Sequence, residues 1–513
     1  MSTEDQNRAV VTVKKGVDVD ALMQELTSLG NTTDYVPARR VEMYNEKNDS
    51  RRNFDVILTR QEAEKLKNDP RIVDVRYGSK LENGIIPRSF RIEGVKQYNK
   101  VASQNSNHYN WAIPACTNNT DPFGAGTFLN YTHSWNLDGT GVDVVIQDSG
   151  IDVAHPEWLN HNGTASRLQQ INWPAAAGLS STYTQFAGHY TDDDGHGTHV
   201  AGTAAGRLYG WARGADIYAI KIFDTDAFGI SASFNLIRGW HNLKGNNNPT
   251  VVNMSWGYFA YYDGITGGNY RGTPWVGSSI QNIYGMLDSS YNFDGGSGLY
   301  YHPVRVSSVD ADIEDCVNDG IILVAAAGND AHKMDIFGGA DYNNYFTNSF
   351  GNRYYHRGST PNGPTGVVSV GSVRLATGER KAEYSTTGPG VQIYAPGDSI
   401  QSSIPVGSLI ATSYGAVNYP TNSNFKAVKI SGTSMAAPQV AGVLACLVGS
   451  RTQYNSNDCI QWLEKKGILN RMTEIGSGYT DYYSFQTGPN RYLRQPFTSQ
   501  TPLHVSGMLS QTR

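Results

Sequence analysis

Five short runs rich in aliphatic and β-branched residues, with helix-forming stretches between them, constrain this sequence most: 142–146 (VDVVI), 217–222 (IYAIKI), 251–254 (VVNM), 321–327 (IILVAAA) and 367–373 (VVSVGSV). A strand with one wet face alternates apolar and polar residues; these runs are apolar at successive positions, so both faces must be covered. Strands covered on both faces and separated by helices make a parallel sheet with helices on each side, which predicts an α/β class. At 513 residues the chain is long enough for such a domain plus a smaller unit.

The smaller unit is predicted at the N-terminus. Residues 8–14 read as a strand. Asp18 can cap a helix that carries Leu22, Met23, Leu26 and Leu29 on one face and stops at Gly30. Strands follow at 41–44 and 54–58, the second placing Phe54, Val56 and Leu58 on one side. Thr59 and Glu62 form a capping-box pattern for a helix ended by Pro70, and 72–77 supplies a last strand. The order β-α-β-β-α-β is a split βαβ, ferredoxin-like α+β unit. The predicted domains are therefore residues 1–80, a polar linker and surface strap over 81–125, and an α/β body over 126–513. Insertions at 258–304 and 333–364 interrupt the body with few regular patterns.

Bulk charge excludes some roles. With 41 basic against 46 acidic residues the formal charge is −5, too weak a field to predict nucleic acid or an anionic membrane as partner. No run of some 20 apolar residues predicts a membrane span, and no secretory leader is visible near Met1. Location is left open, leaning to the outside of a cell or to a virion or other surface. Cys116, Cys316, Cys446 and Cys459 lack zinc-site spacing and are predicted to be inert core thiols, with a Cys446–Cys459 bridge left open.

Three stretches carry chemistry: DSGID at 148–152, DGHGTHVAG at 194–202 and SGTSMAAPQVAG at 431–442. Asp148 ends an apolar strand and can be held at the sheet's carboxyl edge to orient an imidazole. His196, between two glycines at a helix start, can stand clear of its neighbours as a base. Ser434 also begins a helix, where the dipole and its own backbone N–H favour developing negative charge. Acid, base and hydroxyl in this chain order match one of the few known triad orders.

These blocks resemble the subtilisin family of serine proteases over roughly 111–463, with loop lengths nearest its proteinase K branch. The resemblance implies a three-layer α/β catalytic domain, with Asp148, His196 and Ser434 as the triad and Asn329 of AAAGN (325–329) in the oxyanion hole. It also implies substrate binding by Ser255, Trp256 and Gly257 of NMSWG and by Ala326, Ala327 and Gly328. Trp256 stands where leucine is commoner and is expected either to reshape the pocket or to fill the core. Residues 54–78 resemble the family's inhibitory propeptide. That implies a self-processing zymogen whose own propeptide is its inhibitor, cut somewhere within 78–110. The substrates implied are proteins or peptides, with no cofactor required. Calcium is a candidate structural ion without an identified site: the short 202–210 stretch lacks one family loop for it, and Asp192 and Asp193 are read first as a solvated acidic loop. The competing expectation is a structural or virion-associated scaffold that keeps the fold and an uncleaved propeptide.

Overall fold

A computed structural model describes residues 6–28, 34–43, 52–77, 85–87, 110–117, 137–223, 227–262, 265–276, 300–374, 379–474 and 484–495. In the N-terminal unit, β1 (Asn7–Val13) lies between β3 (Asn53–Leu58) and β4 (Ile72–Tyr77), with β2 (Glu42–Met43) outside β3 and all pairs antiparallel. Helices α1 (Val19–Thr27) and α2 (Arg60–Leu66) cover this sheet. Val11 sits opposite both Phe54 and Val75, and this register puts Ala9, Val11, Val13, Phe54, Val56 and Leu58 into one core with Leu22 and Leu26. Asp18 caps α1 by accepting the Ala21 N–H at 3.0 Å, and Thr59 and Glu62 close the capping box of α2. The strand order is that of the split βαβ arrangement. α2 ends at Leu66, short of Pro70, and the predicted stop at Gly30 lies outside the described residues.

Part of the stretch read as a linker is ordered. β5 (Ile85–Pro87) is a strand, and α3 (Ala112–Thr117) is buried in the main core, so 110–117 is no surface strap. The body is built on β6 (Asp143–Asp148), α4 (Trp173–Ala176), α5 (His196–Ala205), β7 (Asp216–Lys221), α6 (Ile230–Leu243) and β8 (Thr250–Met254). It continues through β9 (Trp256–Tyr262), β10 (Gly267–Tyr270), β11 (Thr273–Val276), β12 (Tyr300–Pro303), α7 (Ser307–Asn318), β13 (Ile322–Ala326), β14 (Tyr345–Thr347), β15 (Arg353–Tyr355) and β16 (Val367–Arg374). β17 (Arg380–Lys381), β18 (Ile393–Pro396), β19 (Ile400–Ile404), α8 (Leu409–Ser413), β20 (Val417–Tyr419), β21 (Asn422–Ile430), α9 (Thr433–Gly449) and α10 (Ser456–Lys466) follow.

The five apolar runs, as β16, β13, β8, β6 and β7, all became neighbours, and β18 adds a sixth strand beside β16, parallel throughout. Val144 and Ile146 face one core with α5 and α9, while Val145 faces the other with α6 and α7, the two-sided burial that their composition required. The insertions are more regular than predicted. β9 pairs with β12, and β10, β11, β14 and β15 form a separate antiparallel sheet. Its core is aromatic: Phe346 stacks on Tyr354 with centroids 4.9 Å apart, and Tyr262 packs beside both. Tyr- and Gly-rich strands of three or four residues are too short to show a periodicity, which is why this sheet was not legible.

The N-terminal unit seats on α7 of the body. Asn53 Nδ2 donates to the Ser308 carbonyl at 3.1 Å, and the Arg52 guanidinium lies 3.2 Å from Glu314 and 3.7 Å from Asp315. All four cysteines are buried and free, so no Cys446–Cys459 bridge forms, and burial pushes each thiol's pKa up.

Candidate active site

Asp148 is the last residue of β6 and His196 the first of α5. They meet because the glycines between the two segments leave room. A Cβ on Gly197 would lie 2.2 Å from the Gly150 carbonyl oxygen, and one on Gly150, where φ is +124°, would lie 1.9 Å from the Thr191 carbonyl oxygen. Any larger residue would wedge the strand end away from the helix start.

At this contact His196 Nδ1 is 2.8 Å from Asp148 Oδ1, which also accepts the Ser149 N–H at 2.7 Å. An ionised carboxylate only accepts, so Nδ1 carries the proton and Nε2 is the basic nitrogen. Both side chains are fully buried. Burial disfavours the imidazolium, yet the charge and hydrogen bond of Asp148, helped by Asp194 and Asp192, outweigh it and hold the His196 pKa above its ordinary 6.5.

Ser434 is the second residue of α9, which packs against α5. Its Oγ donates to the Ser255 carbonyl at 3.2 Å, while Ser255 Oγ donates to the Ser434 carbonyl at 2.9 Å and accepts from Asn253 Nδ2 at 2.9 Å. Ser255 directly follows β8, so the hydroxyl stands at the same carboxyl edge that presents Asp148.

Asn329 lies just beyond β13 at this edge. Its Oδ1 accepts from the Thr433 backbone N–H at 2.9 Å and the Thr433 hydroxyl at 2.8 Å, which turns Nδ2 the other way as a donor. Gly328 N–H donates to Thr433 Oγ1 at 3.1 Å. Ala326 and Ala327 are buried, and both their carbonyls accept from Asn362 Nδ2, at 3.2 and 2.5 Å.

Gly257 and the backbone of Trp256 lie in β9, where β5 pairs with them antiparallel: Ile86 opposite Gly257, Pro87 opposite Trp256, Ile85 opposite Tyr258. The expected substrate strand thus carries an added strand from the chain itself. The Trp256 ring takes the core-filling alternative. It is fully buried beside Phe234 and Tyr258 with its indole N–H on Gln147 Oε1 at 3.1 Å.

Asp192 departs from its reading as part of a solvated loop. It is buried, and its carboxylate accepts from Ser149 Oγ, Gly195 N, Thr198 N and Thr198 Oγ1 at 2.6–2.9 Å, while Asp193 is exposed. Four donors already surround its oxygens, so it does not fit calcium. No group of three or more His, Cys, Asp or Glu among the described residues is arranged to hold a metal ion.

Sequence reasoning passed over Ser149, took Asp192 for a solvated residue, and passed over the contacts of Thr433 and Asn362. The first three lie inside or beside the quoted motifs, but in a run of three aspartates nothing local tells which one the fold will bury. Asn362 lies in an insertion without a motif.

Known proteins resemble this chain in sequence and fold. A subtilisin-like protease of Coccidioides posadasii is 29% identical over 61% of this chain, and the match spans 53% of that relative's length. Subtilisin of Bacillus pumilus is 27% identical over 68% of this chain and 90% of its own. The crystal structure of fervidolysin from Fervidobacterium pennivorans, a keratinolytic enzyme related to subtilisin, aligns with 98% of this chain and 62% of its own at TM-score 0.50 and 19% identity, a likeness of fold. The model of the subtilase family matches residues 139–486, from just before β6 to beyond α10. Since that match takes in the parallel sheet, the histidine helix and the serine helix together, the chain belongs to the subtilase family.

Proposed function

We propose that this chain is a serine endopeptidase made as a self-processing zymogen. The observation that carries the reading is the 2.8 Å contact between His196 Nδ1 and Asp148 Oδ1, buried at the sheet edge that also presents Ser434. In this reading His196 Nε2 takes the proton as Ser434 Oγ attacks a peptide carbonyl, and Asp148 holds the ring and stabilises the imidazolium that forms. The oxyanion is met by Asn329 Nδ2 and the Ser434 backbone N–H. His196 then gives its proton to the leaving amine, and water, deprotonated by the same nitrogen, releases the acyl group from Ser434.

Substrate is bound as a strand added to β9, by backbone hydrogen bonds that read extended main chain more than side chains, which favours broad specificity toward proteins and peptides. The β5–β9 pairing supports the inhibitory half of the proposal: the N-terminal unit docks on α7 and delivers β5 onto the strand that substrate would use. Its removal follows cleavage within 78–110. A setting outside a cell or on a surface goes with such a latent peptidase. No helix among the described residues is long and apolar enough to cross a membrane. The scaffold alternative is not favoured, since an inert fold would have no need of a buried imidazole poised against a carboxylate.

The test is incubation of purified wild type and Ser434→Ala with an unfolded protein substrate. Wild type is expected to lose its N-terminal unit and digest the substrate. Ser434→Ala should remain full length and be at least about 10³-fold slower, a loss of about 4 kcal/mol of transition-state stabilisation. Equal rates for the two proteins would refute the reading.

A further inference from the structure

We propose that Asp192 is a positioning residue that sets the Asp148–His196 contact by tying the end of β6 to the first turn of α5. The assignment rests on reading this site as that of a serine peptidase.

The hydrogen bonds around Asp192 close a ring. Oδ1 accepts from Ser149 Oγ at 2.8 Å and from the Gly195 N–H at 2.9 Å, and Oδ2 accepts from the Thr198 N–H at 2.8 Å and the Thr198 hydroxyl at 2.6 Å. Ser149 Oγ in turn accepts the Gly197 N–H at 2.8 Å, while the Ser149 N–H donates to Asp148 Oδ1, the oxygen that faces His196. Strand end, imidazole, helix turn and Asp192 therefore form one closed loop of contacts. Gly195, the residue at the N-cap of α5, has no side chain to cap it, so side chains from elsewhere share the work: Asp192 accepts the Gly195 and Thr198 N–H groups, Asp194 the His196 N–H at 3.1 Å and Ser149 Oγ the Gly197 N–H.

A capping residue alone would hold the helix and nothing else. Asp192 differs because the same oxygen that binds the helix start also binds the residue next to the catalytic carboxylate. A charge buried here is costly to keep unless its hydrogen bonds are complete, and all four are made. Its charge also reaches His196, adding to Asp148 and Asp194 in favouring the imidazolium, against the opposing influence of burial; the neighbouring His199 ring is buried and held neutral, its pKa lowered to about 3. Loss of the loop frees the imidazole to drift, and a misplacement of about 1 Å at a reacting group costs on the order of 10²-fold in rate.

Two variants separate positioning from capping. Asp192→Asn removes the charge and one acceptor set. Ser149→Ala keeps the charge and the Asp192 contacts to Gly195 and Thr198, but cuts the link to β6 and removes the acceptor of the Gly197 N–H. For molecules counted by active-site titration, both are expected to lower kcat on a short peptide by about 10- to 100-fold with KM within about twofold. Asp192→Asn alone should also move the acid limb of kcat/KM to lower pH. A parallel readout does not need activity: in a Ser434→Ala background, NMR titration of His196 should give a lower pKa when Asp192→Asn is added, and a shifted or broadened Nδ1 proton signal when Ser149→Ala is added. Loss of thermal stability with unchanged kcat and an unchanged His196 titration would make Asp192 a helix cap and overturn the proposal. If Asp192→Asn does not fold, Ser149→Ala decides alone: unchanged kcat and an unchanged Nδ1 signal overturn it. If wild type proves inactive, the peptidase reading fails by itself, and the NMR result still judges the loop.

Discussion

The N-terminal unit and the body are held together in opposite ways. In the first, a seven-residue central strand finds both partners within 77 residues, and every pair is antiparallel. In the second, the parallel ladder from β7 to β18 joins residues from 143 to 396, and the crossovers between β6 and β16 carry a helix or an insertion. Non-local parallel pairing must bear loop-closure entropy before contacts repay it, so the body is the slow partner and the small unit the fast one. The small unit docks on α7, whose helix leads straight into β13 at the sheet's centre, and we propose that it templates the step that is hardest for the body alone.

Deleting residues 1–77 gives the largest expected effect. After denaturation, the truncated chain should regain activity at least about ten times more slowly than the full chain, and adding residues 1–77 as a separate polypeptide should restore the rate. Equal refolding rates would break the comparison.

Acid separates the regions next. The first histidine of the chain is His108, so the N-terminal unit has none. The body buries His155 and His189, each with its pKa lowered to about 4, His199 and His356, lowered to about 3, and His302, lowered well below 6.5, in every case chiefly by desolvation. A histidine depressed in the folded state binds its proton more readily once unfolded, so stability falls as pH drops below the unfolded value near 6.5. Buried carboxyls raised by desolvation, such as Glu157 and Asp310, oppose the trend. In the small unit Glu62 and Asp69 are lowered by Arg39 and Arg71, so their contribution is complete above about pH 4.5 and lost only as pH falls further. Urea midpoints of the separated parts should therefore fall between pH 7 and 5 for the body and stay level for the N-terminal unit.

The pH dependence of the rate sharpens the same point inside the site. In the proposed mechanism His196 must be neutral to act as base, and its pKa is raised, so the acid limb of kcat/KM should lie above pH 6.5. A limb well below that value would mean that Asp148 does not hold the ring as described. The smallest effect is expected at the docking surface: Arg52→Ala should weaken binding of the separated N-terminal unit to the body by up to about tenfold, because Glu314 is half exposed and water screens the pair.

Much of this was legible because it is local or compositional. Apolar runs gave five strands, and Asp18, Thr59 and Glu62 gave helix starts. The triad motifs were readable because their glycines are needed by close approaches, as at Gly150 and Gly197. What sequence could not supply is which polar side chain the fold encloses. Asp192 and Asp193 are identical neighbours with opposite fates, Trp256 turns its ring to the core while its backbone faces β5, and Asn362 reaches the Ala326 and Ala327 carbonyls from an insertion. Each depends on contacts made across distant segments.

The most direct test is labelling with a fluorophosphonate, followed by peptide mass spectrometry of the adduct. The account predicts one phosphonylated residue, Ser434, in processed wild type, with labelling suppressed in His196→Ala. Processed protein that carries no adduct at Ser434, or labels equally well without His196, would contradict it.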